Sequence, residues 1–262
     1  MSYPWKSALV TGASSGIGEA MVRRLAASGI GTVVVARRVD RLEALAAELP
    51  RIEVLAADLT DLDGLARVEA RLGDRERPID LCVNNAGFGT SGRFVDLDGE
   101  RLGREVDLNC RAVVRLCSAA LAPMAERGCG WVLNVSSVAS FQPTPTLAAY
   151  AATKAYVTSL TESLVEEMRG TGVHLTALCP GLTHTEFQAV SSDGVSHTRA
   201  PKAMWLDADD VAKAGLAATA KGRALCVPGG AYKAMAAAAA VAPRTVVRRA
   251  AGLISGFTRS AI

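Results

Sequence analysis

Short apolar runs rich in valine and leucine alternate along the chain with longer segments in which apolar residues recur at helical spacing. Continuous apolar runs of this length predict strands that are buried on both faces, as in a parallel sheet covered by helices. The predicted strands are Ser7–Val10, Thr32–Ala36, Glu53–Ala57, Leu81–Asn84, Trp131–Val135, His174–Cys179 and Leu225–Val227. The pattern therefore predicts an α/β fold with a doubly wound sheet of about seven parallel strands and helices on both faces.

The segments between these strands predict helices. They are Gly18–Ala27, Arg41–Leu49, Leu62–Leu72, a long helix near Arg101–Arg127, and Leu147–Arg169. No internal repeat or linker divides the chain, so a single domain is predicted over residues 1–229. Residues 183–206 are poor in apolar residues and follow the sixth strand, at the sheet edge where α/β proteins bind ligands. We predict that this stretch is a substrate lid.

Residues 230–262 are predicted to form a basic helical extension. An alanine-rich helix begins at Gly230, Pro243 interrupts it, and a second amphipathic helix follows. In the second helix, apolar residues alternate with arginines; they are Val246, Val247, Leu253 and Ile254, with Arg244, Arg248 and Arg249. Such a tail could lie on an anionic membrane surface, cover the substrate cleft, form a subunit contact, or pack as a solvated helix on its own domain.

Composition excludes several classes of protein. Half of the residues are apolar and 21% are charged, which suits a globular core and excludes a disordered or collagen-like chain. The 29 basic and 26 acidic residues give a net charge of +3, too even a balance to indicate a nucleic-acid partner. The start of the chain lacks the features of a secretion signal, and the longest apolar run is far shorter than the roughly 20 residues that cross a bilayer. Six cysteines without a C-x-x-C pair favour a reduced, cytoplasmic location.

A glycine-rich turn, TGASSGIG, runs from Thr11 to Gly18 between the first strand and the first helix. Gly12 would permit the tight turn, Gly16 would let the backbone approach a pyrophosphate, and Gly18 would let the helix pack closely on the strand. The N–H groups at the start of the helix would attract the phosphates. The turn predicts a dinucleotide site; the alternative is an ordinary glycine-rich turn.

The end of the second strand predicts which dinucleotide is bound. An acidic residue at this point would bind the ribose hydroxyls of NAD(H), but the chain has Arg37 and Arg38 instead. Guanidinium groups bind phosphate well, and the Ser14 hydroxyl is expected nearby, so the prediction is NADP(H) rather than NAD(H). Two alternatives stay open: the arginines could simply begin a solvated helix, and Asp40 could still reach a ribose.

Tyr150 and Lys154 lie four residues apart in a predicted helix, which places them on one face. An ammonium about 4 to 6 Å from a phenol is worth roughly 3 to 4 kcal/mol at an effective dielectric constant of about 20. We therefore expect Lys154 to lower the pKa of Tyr150 from its usual value near 10 by about 2 to 3 units. The phenol would then donate a proton at neutral pH.

Other polar residues follow the neighbouring strands. Ser137 comes after the fifth strand, where its hydroxyl could bond a substrate carbonyl or merely end the strand. Asn109 could hold a water beside the lysine or only cap a helix. Residues 84–87, NNAG, end the fourth strand with small side chains suited to lie beside a cofactor.

In order, TGASSGIG, AADL at residues 56–59, NNAG, Asn109, Ser137, YAATK at residues 150–154 and CPG at residues 179–181 resemble the short-chain dehydrogenase/reductase family. The resemblance covers Ser7 to about Val227 and implies a Rossmann-type sheet. It implies Tyr150 as general acid or base and Ser137 as the group that polarises the carbonyl. Lys154 would lower the pKa of the tyrosine and bind the nicotinamide ribose, and Asn109 would anchor a water.

The resemblance also implies how the cofactor is bound. Asp58 and Leu59 would flank the adenine, and Asn85, Ala86 and Gly87 would line the nicotinamide ribose. The remaining implied contacts come from the glycine turn, the arginines and the segment after the sixth strand; they are Gly12, Ser14, Ser15, Gly16, Ile17, Gly18, Arg37, Arg38, Pro180, Gly181, Thr183 and Thr185. Thr185 could equally be a turn residue.

The predicted activity is NADP(H)-dependent hydride transfer between a carbonyl and a secondary alcohol, chiefly reduction of a lipophilic ketone or 3-oxoacyl substrate. The alternatives are an NAD-dependent alcohol dehydrogenase and a non-catalytic NADP-binding sensor. Candidate pocket residues, which could also be ordinary packing, are Phe88, Phe141, Gln142, Thr144, Phe187, Met204 and Trp205. No metal site is expected from His174, His184 and His197, whose spacing is not that of metal ligands. The family implies a homodimer or homotetramer.

Overall fold

The computed structural model describes residues 3–187, 191 and 201–254. Seven parallel strands form a single sheet in the order β3-β2-β1-β4-β5-β6-β7. The strands are β1 (Ser7–Thr11), β2 (Gly31–Ala36), β3 (Ile52–Ala56), β4 (Leu81–Asn84), β5 (Gly130–Val135), β6 (Val173–Leu178) and β7 (Leu225–Cys226). The predicted doubly wound α/β sheet is confirmed, and each predicted strand lies within one residue of an observed one.

The topology creates a crevice at the carboxyl end of β1. From β1 the chain builds outward to β2 and β3, returns to pair β4 with the other side of β1, and then builds outward to β7. Ala8 is in register with Leu81, and Val10 with Val83. Because the strand order reverses between β1 and β4, the loops that leave these two strands diverge and leave room for a ligand.

Helices cover both faces of the sheet. They are α1 (Gly16–Ala27), α2 (Val39–Glu48), α3 (Leu62–Leu72), α4 (Gly99–Val106), α5 (Val113–Arg127), α6 (Ala148–Glu167), α7 (Ala208–Ala220), α8 (Gly230–Val241) and α9 (Arg244–Ile254). The predicted pair of helices around Pro243 is present as α8 and α9. Helix α7 was not predicted, although Asp207 caps it by accepting a hydrogen bond from the N–H of Asp209 at 2.8 Å.

Each face of the sheet has its own apolar core. Leu9 faces a cluster that includes Val68, Leu116 and Val157, contributed by α3, α5 and α6. The next residue of β1, Val10, faces the opposite cluster, to which α1, α2 and α7 contribute. Successive strand residues point to opposite faces, so a strand that is buried on both sides must be apolar throughout. This is why continuous apolar runs predicted the strands so closely.

The long helix predicted near residues 101–127 is interrupted. Between α4 and α5, residues Asp107–Ala112 form a π-helical segment, and Asn109 lies inside it. A π-helical turn adds a residue without changing the apolar character of the pattern, and such turns occur often at functional sites. The sequence pattern could not show this break.

The two ends of the predicted lid, residues 183–206, lie together beside the crevice. Thr183 and Leu206 form an isolated parallel bridge, and the N–H of His184 donates to the Leu206 carbonyl at 3.0 Å. Residues 188–190 and 192–200, which include His197, lie outside the described part, as do residues 255–262 of the predicted extension. Among the helices that the structure describes, none has the length and apolar content to cross a bilayer.

Candidate active site

A cavity of about 560 Å³ lies at the carboxyl edge of the sheet, a size typical of small-molecule sites. Most of the predicted site residues line it. They are Gly12, Ser14, Ser15, Gly16, Ile17, Arg37, Arg38, Asp58, Leu59, Asn85, Ala86, Gly87, Ser137, Tyr150, Lys154, Pro180, Gly181, Thr183 and Thr185. Gly18 and Asn109 are the two predicted residues that support the wall from behind rather than lining it.

The glycine turn is a tight backbone cradle. Gly12 has φ +65°, and a Cβ there would lie 2.7 Å from Asn85 Nδ2 and 2.9 Å from the Ala86 Cα. A Cβ on Gly18 would lie 2.4 Å from the Gly12 carbonyl oxygen, which is the close packing expected of that position. Ser15 begins α1 without a side-chain cap, so the first N–H groups of the helix are available to an anion. The cradle fits the phosphates of a dinucleotide.

The segment after β4 is fixed to this turn. Thr11 Oγ1 accepts hydrogen bonds from the N–H groups of Asn85 and Ala86, both at 3.0 Å. The Asn85 amide in turn donates to the Thr11 carbonyl at 2.9 Å. A Cβ on Gly87 would lie 2.9 Å from Asn109 Oδ1, so a glycine at this position lets the Asn109 side chain pack closely against the loop. The two loops that flank the crevice therefore form one rigid wall.

The arginines at the end of β2 have separate partners. Arg38 donates from Nη2 to Ser14 Oγ at 3.0 Å, as expected of neighbours at a phosphate site. Arg37 is 72% exposed and lies 3.7 Å from the Asp58 carboxylate. Asp40, the acid that could have reached a ribose, is exposed on the first turn of α2 and is absent from the described cavity lining.

Two charged residues at this end of the cavity were not predicted. The Glu186 carboxylate contacts Arg38 Nη1 at 2.8 Å and Arg41 Nη1 at 2.7 Å. Arg41 also donates to the Ser14 carbonyl at 3.4 Å. Arg41 could have been predicted from its position one helical turn after Arg38, because this spacing places both guanidinium groups on one side of α2. Nothing local in the sequence linked Glu186 to α2.

Asp58, which lines the cavity, is held in its ionised form. Partial burial acts to raise its pKa, but hydrogen bonds from the backbone and hydroxyl of Thr60, together with the nearby Arg37, lower the pKa below its usual value. The Asp58 carboxylate is thus an acceptor at neutral pH.

Tyr150 and Lys154 both reach the cavity from α6. Lys154 is buried, and its Nζ donates to the Val135 carbonyl at 2.8 Å while lying 5.7 Å from the centroid of the Tyr150 ring. Ser137 and Tyr150 line the same cavity, and Ser137 acts as a hydrogen-bonding neighbour that lowers the pKa of the Tyr150 phenol. Ser136 fixes α6 to β5, since its hydroxyl donates to the Lys154 carbonyl at 2.8 Å. The three predicted catalytic groups Ser137, Tyr150 and Lys154 are therefore brought together.

The expected net lowering of the Tyr150 pKa is wrong for this structure. Burial raises the pKa of Tyr150 to about 12, and the hydrogen bond from Ser137 only partly opposes this effect. Burial lowers the pKa of Lys154 to about 8. The ammonium donates to the Val135 carbonyl, and burial is the largest influence on the pKa of Tyr150. At neutral pH the site holds a neutral phenol beside a predominantly charged ammonium.

Asn109 is fully buried in the π-helical segment, and its side chain fixes neighbouring backbone. Its amide donates to the Phe88 carbonyl at 2.8 Å and to Thr153 Oγ1 at 3.0 Å, and its Oδ1 accepts from the Phe88 N–H at 3.2 Å. Thr153 Oγ1 donates to the Tyr150 carbonyl at 2.8 Å. Asn109 thus connects the loop after β4 to the helix that carries Tyr150. Its water-holding role stays a prediction.

Several apolar side chains line the cavity together with the candidate catalytic residues. Of the predicted pocket residues, Phe88, Gln142, Thr144, Phe187 and Met204 line it. The Phe187 ring lies 5.2 Å from the Tyr150 ring, centroid to centroid. Phe141 and Trp205 are outside the described lining; Trp205 instead stacks on His184 at 4.8 Å.

The described residues contain no group of three or more histidine, cysteine, aspartate or glutamate side chains that could hold a metal ion. His174 packs 6.0 Å from Trp131, centroid to centroid, away from the cavity.

Comparison with known proteins identifies the family. A family model described as short chain dehydrogenase matches residues 6–195. The chain belongs to the short-chain dehydrogenase family. An uncharacterized oxidoreductase of Staphylococcus epidermidis is 36% identical over 69% of this chain and 79% of its own length. The predicted class, an NAD(P)-dependent oxidoreductase, is confirmed at this level.

Two solved structures resemble this short-chain dehydrogenase over nearly its whole length. A short-chain dehydrogenase from Sphingobium yanoikuyae in complex with NADPH is 33% identical, with a TM-score of 0.81 and coverage of 98% of both chains. A bulky-bulky ketone specific alcohol dehydrogenase from Comamonas testosteroni is 31% identical, with a TM-score of 0.77 and coverage of 98% of this chain and 96% of its own.

In this short-chain dehydrogenase, α8 is also part of the cavity wall, through Tyr232 and Met235. The Tyr232 hydroxyl accepts from the Leu182 N–H at 3.0 Å and donates to the Met204 carbonyl at 2.7 Å. A Cβ on Gly181 would lie 2.0 Å from the Tyr232 ring, so the ring packs directly on the glycine. Tyr232 was not predicted from the sequence. Its one signal was a tyrosine, the only aromatic residue in an otherwise alanine-rich helix.

Proposed function

We propose that this short-chain dehydrogenase uses NADP(H) to reduce a lipophilic ketone or 3-oxoacyl compound to a secondary alcohol, with Tyr150 as the proton donor. One observation carries the proposal: a neutral Tyr150 phenol lies in the same cavity as Ser137, the glycine turn and Arg38. The cavity thus combines a proton donor with a site for a phosphorylated cofactor.

The choice of NADP(H) is supported by the charges at the end of β2. Arg38 and Arg41 offer two permanently charged guanidinium groups beside the Ser14 hydroxyl, a donor set suited to a 2′-phosphate. The Sphingobium neighbour is itself an NADPH complex. In this proposal the glycine turn and the N-terminus of α1 hold the pyrophosphate, and Asn85 to Gly87 and Lys154 hold the nicotinamide ribose. The bound cofactor supplies the hydride.

The protein's own residues position the carbonyl and supply the proton. The Ser137 hydroxyl donates a hydrogen bond to the carbonyl oxygen, and the Tyr150 phenol transfers its proton to that oxygen as negative charge develops there. With a pKa of about 12, Tyr150 stays protonated at neutral pH and is ready to act as an acid. The Lys154 ammonium stabilises the phenolate that remains. Asn109 holds Phe88 and α6 in place and is proposed to anchor a water that returns the proton.

The substrate class is supported by the apolar wall. Phe88, Leu147, Phe187 and Met204 line the cavity, with the Phe187 ring 5.2 Å from the Tyr150 ring, and Gln142 adds a polar group. Apolar walls with few polar groups suit a hydrophobic ketone. The Comamonas neighbour is described as specific for bulky-bulky ketones, which makes diaryl and aryl-alkyl ketones the first compounds to test.

The remaining expectations are proposals as well: a substrate lid over residues 183–206, a domain boundary near residue 229, a cytoplasmic location, and a homodimer or homotetramer.

Peripheral membrane contact is supported by α9, where Val246 and Leu253 are exposed on the same helix as Arg244, Arg248 and Arg249. Co-sedimentation with anionic liposomes, before and after removal of residues 244–262, tests this contact. The deletion leaves Tyr232 in place, and equal sedimentation would reject the proposal.

The proposed activity is tested by following cofactor oxidation with diaryl ketones, aryl-alkyl ketones and 3-oxoacyl thioesters, using NADPH and NADH in parallel. We expect turnover of one of these classes and a kcat/KM at least tenfold higher with NADPH. Equal or better efficiency with NADH would reject the cofactor assignment. Absence of turnover for all three classes would reject the substrate assignment.

A further inference from the structure

Glu186 occupies an anion site at the phosphate end of the cavity. Each of its carboxylate oxygens contacts a different guanidinium group: Oε2 lies 2.8 Å from Arg38 Nη1, and Oε1 lies 2.7 Å from Arg41 Nη1. The same Arg38 side chain donates from Nη2 to Ser14 Oγ at 3.0 Å and to Ser15 Oγ at 2.9 Å. A carboxylate from the segment after β6 therefore uses the donors assigned above to a 2′-phosphate.

The charges allow only one anion to use this site fully. Arg38 and Arg41 carry two positive charges, and hydrogen bonds from both arginines lower the pKa of Glu186 to about 2, so the carboxylate is ionised at neutral pH. A phosphate monoester adds about −1.5 to −2 at this pH. If both anions stayed, the cluster would hold excess negative charge, and the anions would repel each other over a few ångströms. The dianion, with three acceptor oxygens, is the stronger competitor for two guanidinium groups.

We propose that the Glu186 carboxylate competes with the 2′-phosphate of the cofactor for Arg38 and Arg41. NADP(H) displaces the carboxylate from these arginines, whereas NAD(H) leaves it in place. The inference rests on the proposed NADP(H) dependence and deepens it, because it makes Glu186 a residue that determines cofactor specificity. Glu186 lowers the affinity for the phosphorylated cofactor and leaves the affinity for the unphosphorylated one unaffected.

The position of Glu186 connects this competition to the catalytic end of the cavity. The adjacent residue, Phe187, packs 5.2 Å from the Tyr150 ring, and its N–H donates to Thr185 Oγ1 at 3.2 Å. Release of Glu186 therefore frees the backbone of residues that line the wall beside Tyr150. The 2′-phosphate therefore has two effects: it changes the affinity for the cofactor, and it changes the position of Phe187 beside Tyr150.

The test compares two ligands that differ only in the 2′-phosphate: adenosine 2′,5′-bisphosphate and AMP. Isothermal titration calorimetry of the full chain measures both dissociation constants for the wild type and Glu186→Gln. We expect the variant to bind the bisphosphate about 3 to 10 times more tightly, the range that removal of two partly exposed ion pairs supports. Its affinity for AMP should change less than twofold. Glu48→Gln is the matched control, since it removes a carboxylate paired with Arg23 outside the cavity lining.

Unchanged or weaker binding of the bisphosphate by Glu186→Gln would overturn the inference, because Glu186 would then be neutral toward the phosphate or support its arginines. If the wild type itself binds the bisphosphate no better than AMP, the NADP(H) proposal fails together with this inference. If the wild type prefers the bisphosphate to AMP and Glu186→Gln binds the bisphosphate with the same affinity, only the role of Glu186 is refuted. The NADP(H) proposal then stands. Hydrogen exchange gives a second readout: the amides of residues 184–187 should exchange faster with the bisphosphate than with AMP, and equal exchange would contradict displacement.

Discussion

Replacing Lys154 by methionine removes a buried ammonium and keeps an unbranched side chain of similar length. Burial lowers the pKa of Lys154 from 10.5 to about 8, a shift of roughly 2.5 units, which corresponds to about 3 kcal/mol of lost folding stability at neutral pH. The methionine variant avoids this cost but loses the hydrogen bond to Val135, worth about 1 to 3 kcal/mol. At pH 7 the two effects nearly cancel, so the variant should be as stable as the wild type or slightly more stable.

The dependence on pH separates the two effects. Between the folded pKa of about 8 and the unfolded value of 10.5, the unfolded chain retains a proton on Lys154 that the folded chain has lost. The stability of the wild type therefore rises with pH in this window. From pH 7 to pH 9, the wild type should gain about 1 kcal/mol relative to Lys154→Met.

Urea unfolding of both proteins at pH 7 and pH 9 measures this difference. Lys213→Met, which removes an exposed lysine on α7, is the matched control and should track the wild type at both pH values. If the difference between Lys154→Met and the wild type is the same at both pH values, Lys154 does not carry a depressed pKa. Burial would then not lower the pKa of Lys154.

Three further predictions concern other parts of the site. Tyr232→Phe leaves two partly buried backbone groups without their hydroxyl partner and should lower the free energy of unfolding by about 0.5 to 1.5 kcal/mol; an unchanged thermal midpoint would contradict this. Gly12→Ala should abolish NADPH binding measured by fluorescence, because a Cβ would lie 2.7 Å from Asn85 Nδ2 at φ +65°, and retained affinity would show that the turn tolerates a side chain. The kcat of ketone reduction should fall as pH rises through about 8, where Lys154 loses its charge, and a flat profile to pH 9.5 would exclude a need for the ammonium.

The sequence was most informative where burial alone decides the structure. All seven strands could be predicted to within one residue because a strand that faces an apolar core on both sides, such as β1 or β2, has no polar alternation to obscure it. Helix α7 was missed although Asp207 precedes a periodic set of apolar residues. It lies between the predicted lid, residues 183–206, and the seventh predicted strand, a segment to which no element was assigned. The π-helical segment around Asn109 leaves the apolar pattern intact, so periodicity could not reveal it.

The candidate site was predictable where one local segment carries the chemistry, as in the glycine turn and in the spacing of Tyr150 and Lys154. Contacts between distant segments were not predictable. The Glu186 carboxylate meets α2, and the Tyr232 ring seats on Gly181, only after the chain has folded. The acidity of Tyr150 was predicted in the wrong direction, because a charge–charge estimate from spacing omits the loss of hydration that burial imposes on the phenolate.

In the proposed mechanism, Tyr150 supplies the proton to the carbonyl. Its most direct test is the kcat of NADPH-dependent reduction of a ketone substrate by the wild type and by Tyr150→Phe, with the dissociation constant for NADPH measured alongside. We predict that kcat falls at least 100-fold, the scale of general acid catalysis, while NADPH affinity stays within threefold. Turnover by the phenylalanine variant within tenfold of the wild type would contradict the account.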